Sequence, residues 1–215
     1  MPRYLNKPTR DGIVAIGGPI NTETLLQAYT LGVFPWPHDG YPLLWFSLDP
    51  RAILVFDALH VGDRLARKRR NSHFTFSINA CFETVIARCA LTKRQGQLGT
   101  WITEELFEAF IQFHQAGYAH SVEVWENGDV VAGLYGVYVN GVFSGESMFT
   151  TVNDGSKLAV LYLIDHLKSL GHTWIDIQQM TPHFSALGAI TVPRSAFKQR
   201  LQAEAGVEKL PFVAV

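Results

Sequence analysis

The chain has 215 residues, 47% hydrophobic and 17% charged, enough apolar mass for one large domain or for one domain with a small appendage, and a composition that excludes disorder. Its formal net charge of -1 supplies no overall field toward nucleic acid, so any contact with RNA requires a local basic patch. Met1 to Arg10 is polar and lacks the apolar core of a signal peptide, no run approaches the ~18 apolar residues that span a bilayer, and Cys81 and Cys89 belong to no metal-type cluster, so the expectation is a reducing cytoplasmic setting, no membrane and no metal.

In chain order, Ile13 to Gly18 reads as an edge segment running into a turn. Asn21 or Thr22 caps a short helix bearing Leu25, Leu26, Tyr29 and Leu31 and stopped by Gly32. Phe34-Pro35-Trp36-Pro37 cannot be helical, because each proline restricts its predecessor to extended geometry, and Trp36 is thereby held on a stiff loop. Leu43 to Phe46 and Ala52 to Phe56 predict short strands about a turn. The composition shifts near residue 58, which divides a small Pro- and Trp-rich lobe, 1–58, from a regular α/β domain, 59–215.

Within that domain, His60 to Arg70 predicts a basic helix carrying Arg64, Arg67, Lys68, Arg69 and Arg70, and His73 to Asn79 a half-buried strand. Ala80 to Ala90 reads as a helix, Leu91 to Gly99 as a polar loop with Lys93 and Arg94, and Thr103 opens another helix after Trp101. His120 to Glu126, Val130 to Tyr138 and Val142 to Thr150 predict three antiparallel strands, joined at Asn127-Gly128 and at Asn140-Gly141. Asp154 to Leu170 is a crossover helix with Asp154 or Ser156 as cap and Gly171 as stop, leading into a strand from Thr173 to Gln178. Thr181 to Leu187 reads as irregular, and Pro193 opens a final helix.

Side chains alternate across a strand, so Ser144, Glu146 and Met148 are expected on one face and Phe143, Ser147 and Phe149 on the other, with Asp176 and Gln178 sharing a face of the later strand. If the two strands pair, Glu146, Asp176 and Gln178 converge. The element order resembles an α/β N-acetyltransferase-like (GNAT) mixed sheet with helices on both faces. An acetyl-CoA enzyme of that kind needs a glycine-rich loop whose amides hold pyrophosphate, whereas Thr150 to Lys157 contains one glycine, Gly155.

The blocks Gly32 to Trp36, Trp45 to Arg51, Gly99 to Thr103, Ala119 to Trp125, Tyr135 to Val137, Gly145 to Phe149, Ser156-Lys157 and Ile175 to Gln178 together resemble the leucyl/phenylalanyl-tRNA–protein transferase family, in family order across nearly the whole chain. Phe46 and Leu48 depart from the usual Trp-Trp-Ser-Pro-Asp-Pro-Arg, and Ile177 replaces a frequent cysteine. The resemblance implies a cytoplasmic, monomeric enzyme that moves Leu, Phe or, weakly, Met from Leu-tRNA, Phe-tRNA or Met-tRNA to proteins beginning with Arg or Lys, marking them for degradation. Aminolysis of an ester needs orientation, proton removal and charge stabilisation, and no cofactor.

On that footing Asp176 is the candidate to accept or steer the attacking ammonium's proton, Gln178 fixes its geometry, and Glu146 meets the cationic acceptor; otherwise these are polar residues at strand ends. Met148, Leu134, Leu163 and Leu167 take the family's positions around the aminoacyl side chain, against a reading as plain core. Trp36 and Trp101 are candidates to stack on the 3'-terminal adenosine, and Arg64 to Arg70 to contact tRNA phosphates rather than form a solvated helix face. Ser156-Lys157 reads as a helix start, since neighbours on a helix point ~100° apart and make a poor nucleophile–base dyad. The rival readings are an acetyl-CoA-dependent N-acetyltransferase and a non-catalytic RNA-binding module.

Overall fold

The computed structural model describes residues 2–92 and 100–205. Lys93, Arg94 and Gly99, and with them most of the expected polar loop, lie outside the described residues.

Two sheets organise the chain. The smaller has the order β1-β2-β4-β3 and is built from β1 (Arg3–Tyr4), β2 (Ile13–Ile16), β3 (Phe34–Pro35) and β4 (Leu44–Phe46). β2 pairs with β1 on one side and β4 on the other, so the segment expected at an edge is internal. Between β2 and β3 runs α1 (Thr22–Thr30), started by reciprocal bonds between Asn21 and Thr24.

The larger sheet has seven strands in the order β11-β5-β10-β9-β8-β7-β6. These are β5 (Arg51–Val55), β6 (Thr75–Ile78), β7 (Ala119–Glu126), β8 (Asp129–Val139), β9 (Val142–Thr150), β10 (Trp174–Gln178) and β11 (Ile190–Val192). The hairpins at Asn127-Gly128 and Asn140-Gly141 close with both residues at positive φ, as two-residue turns between twisted strands require. β9 and β10 are parallel, which demands the crossover supplied by α5 (Gly155–Ser169). β5, which precedes the expected boundary at residue 58, lies inside this sheet between β10 and β11.

The remaining helices are α2 (Asp63–Asn71), α3 (Phe82–Leu91), α4 (Glu104–Gln115), α6 (Pro182–Ala186) and α7 (Arg194–Glu204). α6 and β11 occupy stretches in which no regular element was expected. Successive residues of β8 divide between two cores: Tyr135 and Val137 pack with α1, α3 and α4, while Leu134 packs with the apolar side of α5. The sheet is therefore covered on both faces, and the smaller sheet joins the first core through Phe34, Trp45 and Phe46. Phe197 of α7 closes a third cluster with Ile53, Val142 and Trp174.

Candidate active site

The site begins with a bulge. Tyr135 pairs with Ser147 and Gly136 with Gly145, which leaves Glu146 as an extra residue in β9. Gly136 must be glycine, because a Cβ there would stand 2.4 Å from the Ser144 carbonyl oxygen and 2.5 Å from the Phe143 ring. The bulge shifts the alternation: Phe143 packs in the core beneath α5, whereas Phe149 packs with α3 and α4. The sequence expectation that Phe143 and Phe149 share a face is thus corrected. So is the placement of Glu146 beside Met148, for Glu146 turns toward Tyr29 of α1 and Met148 packs on the α5 side.

The end of β10 supplies the second half. Asp176 is fully buried, and Arg51 of β5 grips it in a two-pronged pair, Nε to Oδ1 at 2.8 Å and Nη2 to Oδ2 at 2.6 Å. The Ser144 hydroxyl donates to Oδ2 at 3.0 Å and the Gln178 backbone N–H to Oδ1 at 2.9 Å. The Arg51 guanidinium lies over the rings of Phe34 at 4.8 Å and Phe197 at 4.6 Å. A buried ion pair persists only when its desolvation is offset by such additional bonds and ring faces.

The strand kinks immediately afterwards. Gln178 has φ +59°, the Gln179 N–H donates back to the Ile177 carbonyl at 2.6 Å, and the register of β10 against β5 shifts between Asp176 and Gln178. A left-handed conformation in a non-glycine residue costs ~1–3 kcal/mol and persists where the surroundings enforce it, commonly at functional sites. Here the conformation aims the side chain across to β9, where Gln178 Nε2 donates to Glu146 Oε1 at 2.6 Å.

Packing of protein around the Glu146 carboxyl, which opens only in part into the cavity, pushes its pKa up to about 8. The nearby Tyr29 hydroxyl and the Arg51 charge oppose that rise, and the Asp176 charge adds to it. Glu146 is consequently mostly protonated near pH 7. Burial and the neighbouring Glu146 in turn raise the Tyr29 phenol well above its ordinary value.

These residues open on a cavity of about 420 Å³. One wall comes from Phe34, Pro35 and Trp36 of the smaller lobe, with Trp101 also at the lining. Apolar lining is supplied by Leu134, Met148, Val160, Leu163, Ile175, Ile177 and Phe184, and polar lining by Glu146, Gln178, Gln179, Thr181 and His183.

The sequence-derived candidates fall into three groups. Glu146, Gln178, Met148, Leu134, Leu163, Trp36 and Trp101 all line this one cavity. Asp176 lies behind the lining, against Arg51, and Leu167 is a fully buried core residue packed with the α5 side of the sheet. The basic group stands on α2, away from the lining: Arg64 pairs with Asp154 at 3.1 Å, Arg69 with Asp165, and Lys68 donates to the Asn153 carbonyl, while Arg67 and Arg70 are exposed. Asp154 does stand at the N-cap position of α5, but without a side-chain bond to the helix backbone. Asp154 sits at φ +60° and its side chain accepts from Lys157 Nζ at 2.9 Å rather than from the helix, which with Arg64 and Lys68 holds its carboxyl below the ordinary value.

Arg51 was missed as a site residue. The signal was present, because Arg51 heads the apolar run of β5 and Asp176 interrupts the apolar Trp174 to Ile177, and lone opposite charges in two buried strands are stable only if they meet. Tyr29, read as one apolar residue of a helix, was missed for want of any local signal. Among the described residues no group of three or more His, Cys, Asp or Glu is placed to hold a metal, and no helix is long and apolar enough to cross a membrane.

Comparison with known proteins accords with this arrangement. Residues 53–202 match the family model described as leucyl/phenylalanyl-tRNA protein transferase, and residues 18–49 the model of that protein's N-terminal domain. Proteins named leucyl/phenylalanyl-tRNA–protein transferase are similar along most of their length. The one from Maridesulfovibrio salexigens is 48% identical over 192 residues, 89% of this chain and 80% of that one. The one from Xanthomonas campestris pv. campestris strain 8004 is 43% identical over 94% of this chain and 81% of its own, and that of Flavobacterium psychrophilum 43% over 92% and 93%. Among solved structures, L-PGS from Bacillus licheniformis superposes on 84% of this chain and 62% of its own at a TM-score of 0.40 and 16% identity, too loose a likeness to argue from.

Proposed function

Because the chain belongs to the leucyl/phenylalanyl-tRNA–protein transferase family, and is an aminoacyltransferase working between aminoacyl-tRNA and protein, we propose that its donors are Leu-tRNA and Phe-tRNA, with Met-tRNA used weakly, and its acceptors proteins beginning with Arg or Lys. The transfer marks those acceptors for degradation, and the enzyme works as a cytoplasmic monomer without a cofactor. The observation that carries the reading is a single cavity that joins two half-buried tryptophans, an apolar floor and a carboxyl–amide pair.

Each part has a chemical use. Trp36 and Trp101 present aromatic faces suited to the unpaired adenosine at the tRNA 3' end, since base stacking needs no duplex geometry. Met148, Leu134 and Leu163 receive the branched or aromatic side chain of the donor, and a charged or short side chain would forfeit that burial. Leu167, sealed in the core, supports Leu163 from behind rather than touching the donor. Arg67 and Arg70, with Arg64, Lys68 and Arg69 beside them, take the phosphates farther along the tRNA.

In the reaction the acceptor's α-amine attacks the ester carbonyl, a C–N bond forms, the C–O bond to the terminal ribose breaks and the ribose oxygen leaves with a proton. The proton that leaves with the ribose oxygen comes from the amine nitrogen, and before the attack one further proton must leave the ammonium form of the acceptor to free its lone pair. Gln178 Nε2 is occupied by Glu146, which leaves the Gln178 carbonyl oxygen to accept an N–H of the amine and fix its approach. Asp176, with its oxygens engaged by Arg51, Ser144 and the Gln178 backbone, acts through Gln178 as a positioning residue. Glu146, whose proton affinity is matched to neutral pH, releases its own proton to solvent as the cationic acceptor arrives and then, as the carboxylate, takes the proton that leaves the acceptor's ammonium.

The large sheet is proposed to follow the N-acetyltransferase pattern, with the lobe of residues 1–58 supplying the wall of Phe34, Pro35 and Trp36 and residues 59–215 supplying Trp101 and most of the chemistry; Arg51 and β5 are the part of the first segment built into the second. Incubation with charged Phe-tRNA and an Arg-initiated peptide is the test. Peptide product supports the transferase reading, turnover with acetyl-CoA in its place supports an N-acetyltransferase, and tRNA binding with no transfer reduces the protein to an RNA-binding module.

A further inference from the structure

Thr181 to Ala186 carries a histidine that the chemistry above does not use. His183 lies on α6 and lines the cavity together with Phe184 and Thr181. Its ring is fixed edge-on against Phe184, with centroids 5.0 Å apart and planes at 88°, and the Thr181 hydroxyl oxygen accepts the Phe184 N–H. The His183 Nε2 is buried and has no hydrogen-bond partner among the described residues. A buried ring nitrogen left unpaired costs ~1–3 kcal/mol, so an orphan on a cavity wall is best explained by a group that arrives with the ligand.

Resting on the transferase reading of the cavity, we propose that His183 is a further donor-binding residue, its Nε2 making a hydrogen bond to an uncharged polar group of the aminoacyl-adenosine end. The side of the cavity identifies the ligand. Phe184, Val160 and Leu163 belong to the core on the α5 side, the side that receives the donor's apolar group, whereas Glu146 faces α1 and the acceptor cation. The charges facing the imidazole are Lys157 and Asp154 at the start of α5, themselves ion-paired at 2.9 Å. Burial, and then Lys157, lower the His183 pKa from its ordinary value, with Asp154 opposing. The ring is therefore neutral at working pH and suited to an uncharged hydroxyl, carbonyl or amine rather than to a carboxylate or phosphate. No bond is made or broken at His183, whose contribution is to the geometry and affinity of the donor.

The test pairs kinetics with a direct observation of the ring. His183→Phe keeps a planar ring and removes the nitrogens; the KM for Phe-tRNA should rise ~10-fold or more with kcat within about twofold, and His183→Asn should recover part of the loss. In the wild-type protein the ¹⁵N resonances of the His183 ring should move when a non-hydrolysable 3'-phenylalanylamido-adenosine is added. An unchanged KM in His183→Phe, or unmoved His183 resonances at saturating analogue while wild-type transfer proceeds, overturns this inference alone. The resonance experiment decides the matter even if the Phe variant fails to fold. A wild-type protein that neither transfers nor binds the analogue brings down the reading of the cavity, and this inference with it.

Discussion

The Asp176 carboxylate accepts the backbone N–H of Gln178, two residues later, and thereby holds Gln178 in the left-handed conformation that delivers its amide to Glu146. The two side chains are consequently one device. Asp176→Asn loses the charge that Arg51 requires and Gln178→Ala loses the amide, so each should lower kcat by ~10² or more with donor binding nearly intact. The double variant should be no slower than the slower single one, because residues acting as a unit are not additive. Multiplicative losses in single-turnover experiments would show that Asp176 acts independently of Gln178. Asp176→Asn is also expected to destabilise the fold by ~3–5 kcal/mol by stranding Arg51, and circular dichroism must establish that the variant is folded.

Glu146 makes stability depend on pH in a definite direction. Its ordinary value of 4.5 describes the unfolded chain and about 8 the folded protein, so between those values the folded state binds an extra proton. Stability therefore falls as pH rises from 4.5 to about 8 and is flat above. Glu146→Gln keeps an acceptor for Gln178 and removes the titration. Allowing for the partial opening of the carboxyl into the cavity, the variant should gain ~2 kcal/mol on wild type across that window, or ~4–8 °C in Tm. Its KM for an Arg-initiated peptide should rise ~10-fold or more, since a charge-assisted contact is lost, and its kcat should fall by ~10²–10⁴, since the base is lost. A Tm difference that stays constant from pH 5 to pH 8 would place the Glu146 proton elsewhere.

Much of this geometry was legible in the sequence. The strand, crossover helix and strand that carry Glu146, Asp176 and Gln178 follow from period-2 and helical patterning, and the side chains of Asp176 and Ile175 do fall on opposite faces. The bulge at Glu146 was not legible, because its cause lies on the neighbouring strand, where Gly136 clears the space, and register is a tertiary property. α6 and β11 escaped for a related reason. Each is too short to show a period, and β11 is a strand through its pairing with β5. The group assigned to the pocket by position divided on depth, since periodicity sets the face of α5 that Leu163 and Leu167 occupy and says nothing about where the cavity stops.

That division gives a specificity test with an internal control. Met148→Ala and Leu163→Ala enlarge the lining and should each cost ~1–3 kcal/mol of preference for Phe over Ala as the transferred residue; half-buried Met148 should affect the fold little, whereas Leu163, as buried as Leu167, should also destabilise by ~2–5 kcal/mol. Leu167→Ala should destabilise by ~2–5 kcal/mol and leave the Phe to Ala ratio unchanged, because its side chain is wholly in the core. Rates measured with Phe-tRNA and with tRNA mischarged with Ala separate the cases. If Leu167→Ala shifts the ratio as far as Leu163→Ala does, the apolar floor extends deeper than the cavity described.

The basic helix offers the last test, and its residues are not equivalent. Arg64 and Arg69 are paired with Asp154 and Asp165, whereas Arg67 and Arg70 are exposed on the same helix and point no bond at an acid among the described residues. Exposed pairs contribute little to stability, so replacing any of these residues should leave Tm nearly unchanged. Each phosphate neutralised releases condensed counterions, and replacing Arg67 and Arg70 together with Gln should raise the KM for charged tRNA and lower the slope of log KM against log salt by ~1 per residue. Arg64→Gln and Arg69→Gln should do less, since an arginine already held by an acid must break that contact to meet a phosphate. Transfer from a short aminoacyl-adenosine, which reaches the cavity and carries no distal phosphates, should be unaffected by all four. Equal losses with whole tRNA and with the short donor would remove the helix from tRNA binding and assign it to the fold, through its contacts at Asp154 and the Asn153 carbonyl.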